Sequence, residues 1–432
     1  MPPTARRWPI GWWPCCWPAA PWWTPHPSTC AHCEPWATTH LRSRREHLTA
    51  MTVAGPVWGI PPTIAPPGRP PRRAEVVIVG GGITGVALLD VLRRHDVDAI
   101  LLERDHLAAG ASGRNAGFLL AGVAENYARA VERYGRTTAA EVWAFTIANH
   151  ALVAAAAANL DAAHHVRGSV TAALDAAEAA SLEAAATLLA EDRLPGVISR
   201  ASDVPGATCA LVNPSDGEID PVRLVGGMAI PQAARVFENH PVVAVEDGEN
   251  TATVHLEDAS VEASLVVLAT NAWTAQLLPA IPIRPVRAQM LASAPVAALV
   301  PRPVYAEWGH RYWRQRDDGA VLVGGFRHRA PAAEIGYQLG TTEVVQAHLD
   351  AHLRELGVAA AVTHRWAGTM GFSEDGLPLV GLAPACRRIY VCAGYTGHGM
   401  GFAVNAARAL ADRILNDEPL PGWLDAARCA AS

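Results

Sequence analysis

Glu75-Val-Val-Ile-Val79 runs straight into Gly80-Gly81-Gly82-Ile83-Thr84-Gly85, and this junction decides how the rest of the chain is read. Four consecutive β-branched apolar residues bounded by glycine have the pattern of a short strand covered on both faces, as strands of a parallel sheet are. The turn supplies G-x-G-x-x-G. Beyond it Val86, Leu89 and Val91-Leu92 recur at mostly helical spacing as far as His95, and Ala99-Ile-Leu-Leu102 is a second apolar strand closed by Glu103. In this order each residue has a physical use. Gly80 allows the tight turn, Gly82 lets a pyrophosphate approach the backbone, and Gly85 lets the helix pack closely on the strand. The free N–H groups and partial positive charge of the helix N-terminus suit phosphate. Glu103, 18 residues beyond Gly85, is placed to accept two hydrogen bonds from a ribose. A glycine triplet alone also fits a turn in an unrelated α/β protein. Together with both strands and the acid it reads as a dinucleotide site, with Gly80, Gly82, Ile83, Thr84, Gly85, Glu103 and Arg104 as candidate contacts.

The chain around this unit has 432 residues, room for two or three domains. Half of the residues are apolar and 18% are charged, which excludes a disordered chain. A net charge of −6 argues against nucleic acid or an anionic membrane surface as partner, since both require a basic field. Every basic residue is arginine; the absence of lysine excludes pyridoxal Schiff bases and phosphate-loop lysines. The 8 cysteines form neither a disulfide framework nor a paired zinc motif, and no metal site is expected.

Residues 1–73 hold 16 of the 33 prolines and 8 of the 14 tryptophans, and are expected to stand apart from the body as a disordered leader. Its apolar part, Trp8 to Trp23, is broken by Pro9, Pro14, Pro18 and Pro21, so no membrane-spanning helix is expected there. Arg6-Arg7 has the form of a twin-arginine export signal, but no small-x-small cleavage site follows. Cys30-Ala-His-Cys33 has the spacing of a metal or redox pair but no second ligand pair downstream. Met51 is a candidate start, which makes residues 1–50 translated upstream sequence; mass analysis of the native N-terminus tests this.

Seven residues after Glu103, Gly110-Ala-Ser-Gly-Arg-Asn-Ala-Gly117 resembles the second flavin segment of the D-amino-acid oxidase, glycine oxidase and sarcosine oxidase superfamily. Its form is most similar to the gamma-glutamylputrescine oxidase-like branch. The resemblance runs from about Glu75 to about Asn416. Asp220-Pro221 with Leu224 resembles the family's I-D-P segment, and Ala234 to Val242 resembles the strand and turn that cover the adenine. Val266-Val-Leu-Ala-Thr-Asn-Ala-Trp273 is another apolar strand ending in a polar turn. Tyr312-Trp313 and Gly324-Gly-Phe-Arg327 resemble the substrate-facing strands. Asp375-Gly-Leu-Pro-Leu-Val-Gly381 and Gly394-Tyr-Thr-Gly-His-Gly-Met400 are the most specific segments. In the second, an apolar strand, Ile389 to Ala393, enters a glycine-rich turn that opens a helix from about Gly401 to Leu415. The N-terminus of that helix, aimed at an isoalloxazine edge, would stabilise the negative charge of reduced flavin.

The resemblance implies FAD, with contacts at Ala111, Ser112, Arg114, Asn115, Gly117, Val242, Asn271, Trp273, Gly394, Gly397, His398, Gly399 and Met400 in addition to the glycine turn. The chain also departs from the family. No cysteine lies in residues 366–374, where sarcosine oxidases attach the flavin, and Arg114-Asn115 stands where related enzymes have an attaching histidine, so FAD is expected to be held non-covalently. Lysines that the sarcosine oxidases place near the flavin and after the G-H-G turn have no counterpart; Gly401 occupies the second position. A plain α-amino acid is therefore less expected as substrate than an amine or polyamine derivative, and oxygen and an electron carrier both stay open as acceptor.

Catalytic candidates are His398, Arg327, Tyr312 and Tyr395, with Trp313 a further aromatic wall; each also has an ordinary reading as a core, backbone-bonding or ion-paired side chain. Thr137 to Ala163 and Asp175 to Leu189 read as helices, with Asp175 as N-cap and His164-His165 as cations at the end of the first. Ser169 to Ala172 and Gly319 to Gly325 read as strands.

The expected fold is α/β. A Rossmann-like FAD-binding domain of the glutathione-reductase type is built from residues 74–122, 216–275 and 362–416. An interleaved α+β substrate domain, 123–215 and 276–361, carries a largely antiparallel sheet, and 417–432 form a C-terminal tail. The expected activity is oxidation of the C–N bond of an amine or amino-acid derivative by hydride transfer to flavin N5 and hydrolysis of the imine, in a cytoplasmic protein without a membrane span. A flavin-binding subunit without its own turnover and a nicotinamide-dependent oxidoreductase remain as alternatives.

Overall fold

The structure, a computed structural model, describes residues 55–61, 68–200 and 204–431. The Arg6-Arg7 pair, Cys30 and Cys33, and the Met51 start lie outside the described residues.

The opening unit folds as its pattern predicts: β1 (Arg73–Val79), α1 (Ile83–Arg94), β2 (Ala99–Leu102). β1 is sandwiched in parallel between β2 and the strand Ser260–Leu268, and outward from these lie Val236–Phe237 on one side and Ile389–Ala393 and Leu379–Leu382 on the other. Alternate side chains serve two cores. Val76, Ile78 and Leu101 face α1 and the long helix Gly399–Asn416, whereas Val77, Val79, Ile100 and Leu102 face the opposite core with Val254 and Val391. This two-sided burial explains why the run carries no polar residue. β1 is therefore a central strand, and a crevice opens at its C-terminal end, where open α/β sheets bind ligands.

A second sheet of eight strands follows the order Val362–Phe372, Arg284–Ser293, Val321–Gly325, Arg311–Gln315, Val304–Ala306, Ser169–Ala173, Cys209–Asn213, Val197–Ser199. All its pairings are antiparallel except that of Val304–Ala306 with Ser169–Ala173. Asp175 caps the helix Ala176–Glu191 by accepting from Glu178 N at 2.8 Å.

Four boundaries differ from expectation. Residues 362–372 belong to the second sheet, where Trp366 pairs with Met290 and is fully buried. The leader does not stand apart throughout: Trp58 is buried, donates from Nε1 to Asn115 O at 2.8 Å and lies under the guanidinium groups of Arg314 and Arg316. The helix expected over 137–163 is Arg136–Ala157, which stops six residues short of Ala163 and is preceded by a separate helix, Tyr127–Tyr134, across a turn at Gly135, whose φ is +80°. His164-His165 thus lies beyond the helix, and His165 Nε2 meets Asp317 Oδ2 at 2.7 Å. The C-terminal tail packs on the first sheet, with Leu424 fully buried and its carbonyl accepting from Val380 N at 2.9 Å.

Arg136–Ala157 is long and apolar enough, by length and composition, to cross a membrane. Its buried residues, Val142, Trp143, Thr146, Asn149 and Val153, recur every three or four positions as on a helix packed in a core. Asn149 Nδ2 donates to Met400 O at 2.9 Å, and its Oδ1 accepts from Val404 N and Asn405 N at 3.0 Å each, which ties this helix to the first turns of Gly399–Asn416.

Candidate active site

The chain turns at Gly80 with φ of +113°, and a Cβ there would lie 2.7 Å from Ala269 O, so only glycine fits. A Cβ on Gly85 would lie 2.0 Å from Gly80 O; this residue lets α1 press on the turn, as expected, and does not line the cavity. Gly82 has only the Ser112 side chain near its missing Cβ, with Oγ at 2.8 Å. Glu103 Oε2 accepts from Gly81 N at 2.6 Å and Oε1 from Asp105 N at 2.9 Å. Burial raises the Glu103 pKa, and the two N–H donors oppose that rise. Each carboxylate oxygen keeps further acceptor capacity toward a ligand.

The second glycine-rich segment holds itself in place. Ser112 Oγ accepts from Ile83 N at 2.9 Å, bracing the start of α1. Arg114 donates to Ala109 O and Ala367 O at 2.8 and 3.0 Å. Asn115 donates to Ala111 O and Ser112 O, and accepts from Gly117 N at 2.7 Å. Gly117 lies outside the cavity: its φ is +72° and a Cβ would strike Ile219 O at 2.2 Å. Arg314 Nη1 donates to both Gly117 O and Ile219 O, at 3.0 and 3.2 Å, and Nε of the same guanidinium lies 3.2 Å from Oε2 of buried Glu218.

The late turn is anchored to the early one. The hydroxyl of Tyr395 is 2.9 Å from Thr84 Oγ1 and 3.3 Å from Cys392 Sγ, so this side chain is a strut between the turns as well as part of the wall. Asn271, at φ +45°, accepts from Gly394 N at 3.1 Å. Gly394 itself does not line the cavity.

One cavity joins both turns. Gly80, Gly82, Ile83, Thr84, Glu103, Arg104, Ala111, Ser112, Arg114, Asn115, Val242, Asn271 and Trp273 line it together with Gly397, His398, Gly399, Met400, Tyr395, Tyr312 and Arg327. Of the sequence candidates Gly85, Gly117, Gly394 and Trp313 do not; Trp313 points to the other side of its strand and packs on His352, with ring centroids 4.7 Å apart. Phe118, Tyr305, Trp308, Met370 and Phe372 line the cavity without having been singled out. Phe118 and Tyr305 sit in short apolar runs, and Trp308, Met370 and Phe372 in mixed segments with no motif of their own. Tyr305 is the cross-strand partner of Tyr312, a register that the folded hairpin reveals.

Tyr305, Tyr312, Arg327 and His398 share one end. The Tyr305 ring is 5.7 Å from Tyr312, 5.5 Å from Phe118 and 6.1 Å from His398, and the Arg327 guanidinium lies 5.9 Å from the Phe372 ring. Burial, helped by the charge of Arg327, pulls the His398 pKa down to about 4, so the imidazole is neutral at pH 7. Burial also pushes the Tyr312 phenol up to about 12 and raises that of Tyr305 further. The carboxylates lining the cavity are Glu103 and Asp105, both beside the glycine turn. The Arg327 end therefore has a fixed positive charge, a neutral histidine and two neutral phenols.

A central parallel sheet with a glycine-turn crevice, set against a largely antiparallel second sheet, defines a two-part dinucleotide-binding protein. The family described as FAD dependent oxidoreductase matches residues 75–413, and the chain belongs to that family. Among curated relatives, the glycine oxidase of Pseudomonas aeruginosa is 29% identical over 184 residues, covering 41% of this chain and 48% of that protein. The 4-methylaminobutanoate oxidase (formaldehyde-forming) of Paenarthrobacter nicotinovorans is 24% identical, over 81% of this chain and 44% of that protein. These alignments span about half the length of the relatives. Among solved structures, L-proline dehydrogenase from P. horikoshii superposes with a TM-score of 0.70 at 20% identity, covering 84% of this chain and 99% of that one. Glycine oxidase from Geobacillus kaustophilus does so at 0.67 and 19%, covering 81% and 96%. They share the fold.

The residues fit FAD. Glycines open the backbone where a diphosphate must approach, the first turn of α1 offers N–H donors, and Glu103 retains acceptors for a ribose. The late turn borders the same cavity.

Proposed function

We propose that this FAD-dependent oxidoreductase oxidises the C–N bond of a small amine that carries a carboxylate: an amino acid or an N-substituted amino acid. The observation that carries the reading is the charge at the Arg327 end, where one guanidinium meets no acidic lining residue. A polyamine would bring a second cation beside Arg327, whereas a carboxylate forms a charge-assisted pair with it. This reverses the preference drawn from the missing lysines. A Cβ on Gly401, which holds the position of one of them, would lie 2.6 Å from Leu120 O, so that position has no room for a side chain and the anion is left to Arg327.

In this reading Arg327 grips the carboxylate, and Tyr305, Tyr312 and Phe118 exclude water from the reacting carbon. Loss of hydride from the adjacent carbon requires the deprotonated amine, which the apolar walls and the positive charge of Arg327 favour over the ammonium, and neutral His398 orients it by accepting a hydrogen bond. FAD, when bound, supplies the two-electron acceptor for that hydride. The amine becomes an imine, and water then splits it into a carbonyl compound and the free amine or ammonia. Gly82, Thr84, Ser112 and Glu103 hold the diphosphate and ribose. A cysteinyl bond to FAD is not expected, since none of the four cysteines among the described residues lines the cavity.

Anaerobic mixing of the FAD-loaded protein with amino acids, N-methyl amino acids and carboxylate-free amines tests this. Loss of flavin absorbance is expected only with the carboxylate-bearing compounds. Bleaching by polyamines alone sinks the carboxylate assignment, and bleaching by none of them leaves the chain as a flavin-binding subunit.

A further inference from the structure

The hairpin that carries Tyr305 and Tyr312 ends in a tip, Glu307-Trp308-Gly309-His310, that enters the same cavity through Trp308 and Gly309. Both Glu307 and Trp308 have positive φ, +51° and +56°. Two adjacent L residues in the left-handed region need outside restraint, and such conformations gather where a side chain must be aimed.

The restraint is visible on every side. Trp308 N donates to Glu178 Oε1 at 2.7 Å, and the other oxygen of that carboxylate accepts from Leu174 N at 2.9 Å. Glu178 is 1% exposed on the helix Ala176–Glu191, so its only evident task is to join the tip to the turn after Ser169–Ala173. The Arg129 guanidinium, from Tyr127–Tyr134, lies 5.3 Å from the Trp308 ring. Glu307 is pinned by Arg311 Nε at 2.6 Å and Arg329 Nη2 at 3.2 Å. A Cβ on Gly309 would stand 3.5 Å from Ala124 O, so the tip abuts the chain leading into Tyr127–Tyr134.

We propose that Trp308 is the specificity-determining residue of this site: its ring closes the cavity beyond the Tyr305–Tyr312 pair and restricts the substrate to a small side chain or N-methyl group, with Glu178 as its positioning residue. The substrate class rests on the amino-acid reading above; the closure does not. An indole at the end of a slot walled by aromatic rings discriminates by bulk, and one methylene in such a slot changes relative rates by about tenfold or more.

Two measurements on the FAD-loaded protein separate these parts. Acrylamide quenching of bound-flavin fluorescence reads access to the cavity without a substrate; Trp308→Ala is expected to raise the quenching constant several-fold, Glu178→Ala to raise it less, and Trp308→Phe to keep it near the parent value. Anaerobic flavin reduction by glycine, N-methylglycine and N-benzylglycine reads size selection; in Trp308→Ala the N-benzyl to N-methyl ratio of kcat/KM is expected to rise about tenfold or more. Unchanged quenching overturns the closure, and raised quenching with an unchanged ratio overturns the specificity role. Raised quenching in a protein that no amino acid reduces keeps the closure and removes the substrate reading.

Discussion

Replacing Arg327 by glutamine removes the fixed charge at the substrate end while keeping a side chain of similar reach. A hydrogen bond to a charged group contributes about 1.5–3 kcal/mol, so kcat/KM for an amino acid should fall about 10- to 150-fold. Arg327 is only half-buried, and solvent screening points to the lower half of that range. A carboxylate-free amine of the same carbon skeleton lacks the pair and should lose less than about threefold by the same reasoning. A second effect follows from the charge itself. Arg327 helps hold the His398 pKa down to about 4. Without it the imidazolium is easier to form, so the acid limb of kcat/KM moves to higher pH, toward the ordinary histidine value near 6.5. Steady-state kinetics on both compounds from pH 4.5 to 9 gives both readouts. Equal losses on the two compounds with an unmoved acid limb would refute the assignment of Arg327 to the carboxylate.

Further outcomes follow from other contacts. Gly85→Ala drives a Cβ against the backbone oxygen of Gly80 at 2.0 Å and should cost about 1–3 kcal/mol, read as a lower Tm of the apoprotein. Gly82→Ala meets only the Ser112 side chain, whose Oγ at 2.8 Å must turn from its bond with Ile83 N, and should lower that Tm by less than Gly85→Ala does while raising the Kd for FAD; equal loss of both properties in both variants contradicts the division of roles. Arg287 and Glu334, 4% and 1% exposed, form a pair joined by two bonds of 2.9 Å, and Arg287→Met strands the carboxylate, an expected loss of about 3–5 kcal/mol in urea unfolding. Burial sets His310 to about 3 and His398 to about 4, below the unfolded value, so the unfolded chain binds more protons and stability should rise from about pH 4 to 6.5. Asp216, raised to about 7 by burial, works in the opposite sense, since its folded form holds a proton that the unfolded chain releases as pH rises from about 4 to 7. The variant Asp216→Asn should therefore show the histidine trend in Tm more steeply than the parent, and a shallower trend in it contradicts the sign.

The parts of the site that were legible beforehand are local. The G-x-G-x-x-G turn needs its residues at fixed spacing for steric reasons that act within a few residues, and Gly80 and Gly85 show those contacts at 2.7 and 2.0 Å. Asp175 as N-cap and Ile389–Ala393 as a buried strand are local in the same sense. What escaped depends on contacts between distant segments. Trp313 and Tyr312 are neighbours on one strand and point to opposite faces, and the sequence contains nothing that says which face meets the cavity. Trp58 sits in a proline-rich stretch whose composition argues against structure, yet arginines 256 and more positions later give it a place. Asn149 lies in an alanine-rich helix and reads as an indifferent polar residue until its amide is seen bonded to Met400 and Val404.

From its sequence alone, then, this chain is a dinucleotide-binding α/β protein with the FAD segments in order, because strand periodicity, glycine sterics and helix N-terminal charge are properties of short windows. Only the tertiary structure decided that the carboxylates lie at the nucleotide end and Arg327 at the other, and that the Trp308 tip reaches the same cavity. Charge balance and cavity shape belong to residues far apart in the chain, and their relation is created by how the two sheets pack.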